Sequence, residues 1–305
     1  MFDILTSINT DPDSPASIGG PTRGTVRIAV VQTSWQGSVE KQKLHYRQAA
    51  EEIRQRSVNL IILQELSLYP YACTREDAHE RFLAEKLDGM SYQFAHEIAK
   101  QTGSHVVISL FEDAVDGKFN CAITVNPAGD IVLKTRKTHI PVTAGYFEDK
   151  YFEQGNSPVA NVEISNALVG TPTCWDQWFP ELARCYGLIK TDLICYPTAI
   201  GSEPDHPDFD TQPLWQHMMV AHGIANGMFI AAANRIGHED GLDFYGSSFI
   251  SDPYGRIVLL APRNEAAILV ADLHLDYKRD WLTLFPFFTT RRPEMYSSLT
   301  TREIN

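Results

Sequence analysis

Three residues of this chain end strand-like runs and are of types that move protons or attack carbon: Glu65, Lys137 and Cys174. Cys174 closes the stretch Ala167-Leu168-Val169-Gly170-Thr171-Pro172-Thr173 and precedes Trp175-Asp176-Gln177-Trp178-Phe179-Pro180-Glu181. That arrangement predicts a thiol on the elbow between a buried strand and a helix. Pro180 suits a first helical turn, having no N–H to lose there, and Glu181 sets negative charge near the positive helix end. A thiol at such a terminus is biased towards thiolate, the form that attacks carbon. Taken alone, Cys174 reads better as a small buried hydrophobe; its company reverses that.

Glu65 ends Leu60-Ile61-Ile62-Leu63-Gln64. Burying an unpaired carboxylate there is costly, so Glu65 either has a chemical task, emerges into solvent or caps a helix. Lys137 ends Ile131–Arg136, where Lys134 and Arg136 also fit an ordinary basic strand end. Together the three make a set. A carboxylate raised by burial can take a thiol proton. The oxyanion formed on attack at an amide-like carbonyl needs an ammonium and backbone N–H groups.

The elements that must position these groups alternate between apolar strand runs and amphipathic helical runs. Strands are expected at 27–33, 59–65, 105–111, 119–125, 131–137, 167–174, 192–197, 228–234, 246–251, 256–260 and 267–272. Helices are expected at 38–56, 75–87, 91–102, 179–189 and 214–226. Asn126–Asp130 and Asp252–Gly255 read as hairpin turns. Helix-flanked strands with interleaved hairpins imply an α/β fold with mixed sheets. Residues 1–25, rich in Asp, Ser, Pro, Gly and Thr, read as a flexible extension rather than a secretory signal, and residues 26–305 as a single domain.

The chain has 305 residues, a formal charge of −12 and five cysteines without paired spacing. The charge argues against nucleic acid or anionic membrane as partners and is compatible with a cationic small molecule. No apolar run is long enough to span a bilayer. The unpaired cysteines favour a reduced, cytoplasmic setting.

Glu65 in Gln-Glu-Leu-Ser-Leu-Tyr-Pro-Tyr, Lys137 in Arg-Lys-Thr-His-Ile-Pro and Cys174 in Cys-Trp-Asp-Gln-Trp-Phe-Pro-Glu resemble, in order, the motifs of the nitrilase superfamily of carbon–nitrogen hydrolases. The resemblance covers about residues 26–298. It implies a four-layer α-β-β-α sandwich, with Glu65 as general base, Lys137 as oxyanion stabiliser and Cys174 as nucleophile. It also implies that Glu148, in Gly145-Tyr146-Phe147-Glu148, is a second active-site carboxylate. Without the resemblance, Glu148 is one charge in a solvated Glu-Asp-Lys run.

Within the superfamily, Cys174–Arg184, Tyr196–Pro204, Ala233–Gly237 and Tyr245–Ile250 are similar to the subgroup acting on N-carbamoyl amines. The implied reaction releases an amine, ammonia and carbon dioxide and needs no cofactor or metal. Phe147, Thr171-Pro172-Thr173 and Asp205–Pro213 depart from that subgroup. An aliphatic amidase or nitrilase on the same residues is the alternative; a non-catalytic scaffold is a third reading. Trp175, Tyr146 and Glu203 are the candidate substrate-binding residues. Glu203 opens an acidic stretch, Ser202–Asp210, that would favour an amine-tailed substrate. Glu181 and Arg184, three apart, are expected to pair; His238-Glu239-Asp240 reads as a loop. The apolar tail Trp281–Leu299 suggests a homo-oligomer.

Overall fold

Strand β2 (Thr25–Ser34) shows how alternation divides this sequence between two cores. In the computed structural model, which describes residues 2–10, 13–77 and 84–301, Val26, Ile28 and Val30 enter one buried cluster. Ala29 and Val31, on the opposite face, enter another. A strand buried on both faces lies between two packed layers, and both sheets are built this way.

The first sheet runs in the spatial order β1 (Asp3–Ser7), β15 (Ala267–His274), β2 (Thr25–Ser34), β3 (Leu60–Ile62), β4 (His105–Ala114), β5 (Gly117–Val125), β6 (Ile131–Arg136). The hairpin β11 (Arg235–Glu239) and β12 (Leu242–Tyr245) joins it through β11 beside β2. The second sheet runs β14 (Ile257–Leu260), β13 (Phe249–Ser251), β10 (Phe229–Ala233), β9 (Leu193–Pro197), β8 (Ala167–Gly170), β7 (Val162–Ile164). Strands β2, β3 and β4 are mutually parallel, as are β8, β9 and β10, while hairpins add antiparallel neighbours.

The sheets pack face to face through Ile28, Leu60 and Val107 on one side and Val169, Leu193 and Phe229 on the other. Helices α1 (Val39–Arg54) and α2 (Met90–Thr102) cover the first sheet with Tyr46, Ile53, Phe94 and Ile98. Helices α3 (Pro180–Leu188) and α4 (Gln212–Asn226) cover the second with Leu182, Tyr186, Trp215 and Met219. The result is the expected α-β-β-α sandwich. None of the described helices is long and apolar enough to cross a membrane.

Four expectations need correction. Residues 1–25 are not a loose extension where described: β1 pairs in parallel with β15 from Asp3 to Ser7, and Arg23 forms a two-pronged contact with Asp192 at 2.7 Å. The polar composition hid this because the partners, including Asp276 and Asp280 of helix α5 (Asp276–Leu284), lie more than 160 positions away. The helix expected at 75–87 lies partly outside the described residues, and its described ends, 75–77 and 84–87, are not helical. His238 and Glu239 belong to strand β11 rather than to a loop. Arg184 does not pair with Glu181: its guanidinium lies 5.0 Å from the Phe288 ring centre.

Candidate active site

Glu65, Lys137 and Cys174 each follow a strand end within a few residues, held by contacts remote in sequence. After β3 the chain turns sharply: Leu66 takes a positive φ of 46°, a conformation few side chains adopt without outside support. Fully buried Arg235 supplies that support. Its Nη2 donates to the carbonyls of Glu65, Leu66 and Tyr69 at 2.9, 3.2 and 3.0 Å, and its Nη1 pairs with Glu239 at 2.7 Å. Glu239 in turn accepts from the N–H of Tyr71. One cation thus satisfies a loop of buried carbonyls that no ladder could reach.

Lys137 leaves β6 with its N–H on the Asn120 carbonyl (2.8 Å) and its own carbonyl on the N–H of Gly155 (2.8 Å). A Cβ on Gly155 would meet the carbonyl oxygens of Arg136 and Lys137, so only glycine permits that close approach. Cys174 opens a short 3-10 turn, Cys174–Trp178, with φ of 40°. Helix α3 starts only at Pro180, so the thiol is not on that helix's N-terminus as the sequence suggested. Asp176 ties this elbow to the Lys137 loop by accepting from the N–H groups of Thr173 and His139 and from His139 Nδ1, at 3.1, 3.0 and 2.7 Å.

The side chains converge. Lys137 Nζ lies 2.9 Å from Glu65 Oε1 and 2.7 Å from both oxygens of Glu148, and all three side chains are fully buried. Asn120 Nδ2 donates to Glu65 Oε1 at 2.7 Å, and Tyr71 donates to Glu148 at 2.7 Å. Glu65 Oε2 has no hydrogen-bond partner among the described residues. Cys174, 5% exposed, opens with Glu148 onto a cavity of about 210 Å³ whose wall includes Tyr146, Trp175, Trp178 and Glu203. All seven candidate residues are therefore in or directly beneath one cavity. The Tyr146 hydroxyl is already engaged, donating to Ser202 O and accepting from Gly201 N, so its contribution to the cavity is the ring.

Charge follows geometry. Burial alone would lower the Lys137 ammonium, but Glu148 and Glu65 overrule it and hold the group well above its ordinary value. Burial pushes the Glu148 carboxyl up to about 7 against the pull of Lys137, with Glu65 adding repulsion. Burial and the Glu65 charge push the Cys174 thiol well up, and Lys137 only partly offsets them. The thiol is neutral at rest, the reverse of the thiolate bias expected from a helix terminus. Attack on carbon therefore requires a base.

Asn120, Tyr71, Arg235 and Asp176 were missed in the sequence. A visible signal existed for Asn120, the one amide within the run Phe119–Val125; nothing local marks Arg235 or Tyr71, whose partners are remote.

The carbon-nitrogen hydrolase family pattern matches residues 27–282. The chain belongs to the carbon-nitrogen hydrolase family. The motif resemblance to the nitrilase superfamily thus holds along nearly the whole chain, and the protein is an enzyme of the amidohydrolase kind. It is 35% identical over 264 residues to the N-carbamoylputrescine amidase of Arabidopsis thaliana, covering 83% of this chain and 88% of that one. It is 32% identical to the citrullinase of Francisella tularensis, covering 90% and 98% of the two chains. The crystal structure of a carbon-nitrogen hydrolase from Helicobacter pylori superposes with a TM-score of 0.86 at 31% identity, covering 92% of this chain and all of that one.

Proposed function

We propose that the protein hydrolyses an N-carbamoyl amine carrying a cationic tail. The observation that carries this reading is Glu203 in the wall of the cavity that Cys174 opens onto, with no Lys, Arg or His among the described lining residues. Thr211 donates to Glu203 Oε1 at 3.1 Å, which orients the carboxylate. A distal ammonium meets a negative wall there, whereas a distal carboxylate meets repulsion. Two relatives are named for compounds that bear a ureido group, N-carbamoylputrescine and citrulline, which supports the reacting end of the same substrate class.

In this mechanism the free Oε2 of Glu65 takes the Cys174 proton as sulfur attacks the ureido carbon. Lys137 has three N–H bonds: one serves Glu65, one is shared between the Glu148 oxygens, and the third is left for the oxyanion. The N–H of Trp175, at the start of the 3-10 turn, is the second donor. Collapse expels ammonia, protonated from Glu65, and leaves a carbamoyl thioester on Cys174. The same carboxylate then takes a proton from water, hydroxide displaces sulfur, and the thiol is restored. The carbamate released decomposes to the amine and carbon dioxide.

The test is ammonia release from carbamoylputrescine, a carbamoyl amino acid, a short amide and a nitrile. Cys174→Ala should abolish turnover of every substrate with the fold intact. Glu203→Gln should raise KM about tenfold for the amine-tailed substrate, with little effect on the neutral amide; equal loss on both removes Glu203 from tail recognition. We also propose self-association through the exposed apolar side chains Leu284, Phe285, Met295 and Leu299, checked by sedimentation of wild type and Leu299→Glu.

A further inference from the structure

Asn120, outside the reacting cluster, touches all three of its charged members through side chain or backbone. It lies on β5 opposite Phe111 of β4 and is fully buried. Its Nδ2 donates to Glu65 Oε1 at 2.7 Å and lies 3.4 Å from Glu148 Oε2. Its backbone carbonyl accepts the N–H of Lys137 at 2.8 Å. Its own Oδ1 is held by the Ser109 hydroxyl at 3.4 Å, and Ser109 also accepts from the N–H of Leu66, the residue after Glu65. One amide therefore spans both carboxylates, while its main chain fixes the ammonium between them.

We propose that Asn120 is a positioning residue that decides which oxygen of Glu65 transfers the proton. Asn120 and Lys137 both donate to Oε1, so that oxygen's lone pairs are occupied. Oε2 is left as the acceptor for the thiol and later for water. A carboxylate swings about its last side-chain torsion at little intrinsic cost. With Lys137 as the only donor, either oxygen could take that bond and the free one would no longer be fixed. The Asn120 contact removes this freedom. This role rests on Glu65 being the base.

The test needs no substrate: iodoacetamide alkylation of Cys174, followed on its peptide by mass spectrometry across pH 5 to 10. Wild type, Asn120→Ala and Glu65→Gln are compared, with unfolding midpoints measured alongside. Asn120→Ala should slow the plateau about tenfold with the unfolding midpoint little changed, since Glu65 Oε2 is no longer held as the free acceptor for the thiol. Asn120→Ser, whose hydroxyl is too short to span the contact, should behave the same way and replaces Ala if that variant does not fold. A wild-type plateau rate in a folded variant, whatever happens to stability, overturns the proposal. Glu65→Gln should lose the base-assisted phase altogether. If Glu65→Gln reacts like wild type, the assignment of the base fails; if only the Asn120 variants do, the base stands and the positioning role fails.

Discussion

Replacing Lys137 by Met tests the electrostatic logic of the site without reference to catalysis. In the wild type, two fully buried carboxylates lie 2.9 and 2.7 Å from one ammonium. Removing the cation leaves both acids in low dielectric, facing each other. Deleting one partner of a buried pair costs about 3–5 kcal/mol, so Lys137→Met should be destabilised by that amount at pH 8. The cost should depend on pH in a definite direction. Glu148 is already raised to about 7 with Lys137 present, and loss of Lys137 raises it further. The folded variant then binds a proton that the unfolded chain, with a carboxyl near 4.3, gives up. The contribution of this carboxyl to stability is highest below about pH 4.3 and falls by about 1.4 kcal/mol per pH unit until the folded carboxyl ionises. Wild-type Glu148 already ionises at about 7, so below that pH both proteins lose stability alike, and urea unfolding of the two at pH 5.5 and 8 should show the gap widening by about 1.4 kcal/mol, the loss over the last pH unit. Lys137→Met/Glu148→Gln should recover much of the loss at pH 8 and flatten its pH dependence. A gap under 1 kcal/mol, or one that ignores pH, would refute the picture of two acids held by one cation.

Gly155→Ala should reduce turnover more than stability, because the added methyl displaces the Lys137 carbonyl it would strike; circular dichroism with wild-type shape and a kcat down about tenfold is the expected result. Arg23→Gln should cost about 1–3 kcal/mol at pH 7. Asp192 is buried, which would raise it, but Arg23 and Lys278 hold it below its ordinary value. That stabilisation is present above about pH 3.9 and disappears as acid protonates Asp192, so the variant and wild type should converge at low pH in the same unfolding assay.

The one-dimensional record carried more of the chemistry than of its support. Glu65, Lys137 and Cys174 were legible because each breaks a local pattern: a carboxylate after four apolar residues in five, a lysine at a strand end, a cysteine on an elbow before Pro180. Most strands of both sheets were legible for the same reason, since alternation and turn residues are local properties, but the short β7, β11 and β12 were not expected. Strand β1 was not, because five residues of mixed polarity become a strand only by borrowing the free edge of β15, more than 250 positions away. Nor was the charge state of the thiol. The local rule of a helix terminus promised thiolate, while burial against Glu65 makes it neutral.

What the chain alone determined is which residue types are available and roughly where most helices and strands fall. Tertiary structure decided the rest: that Arg235 pins the Glu65 turn, that Asn120 and Lys137 crowd one carboxylate oxygen and free the other, and that Glu148 is buried rather than solvated. The reason is physical. Hydrogen-bond direction, desolvation and charge coupling act through a few ångströms of space, and a sequence specifies only neighbours along the backbone.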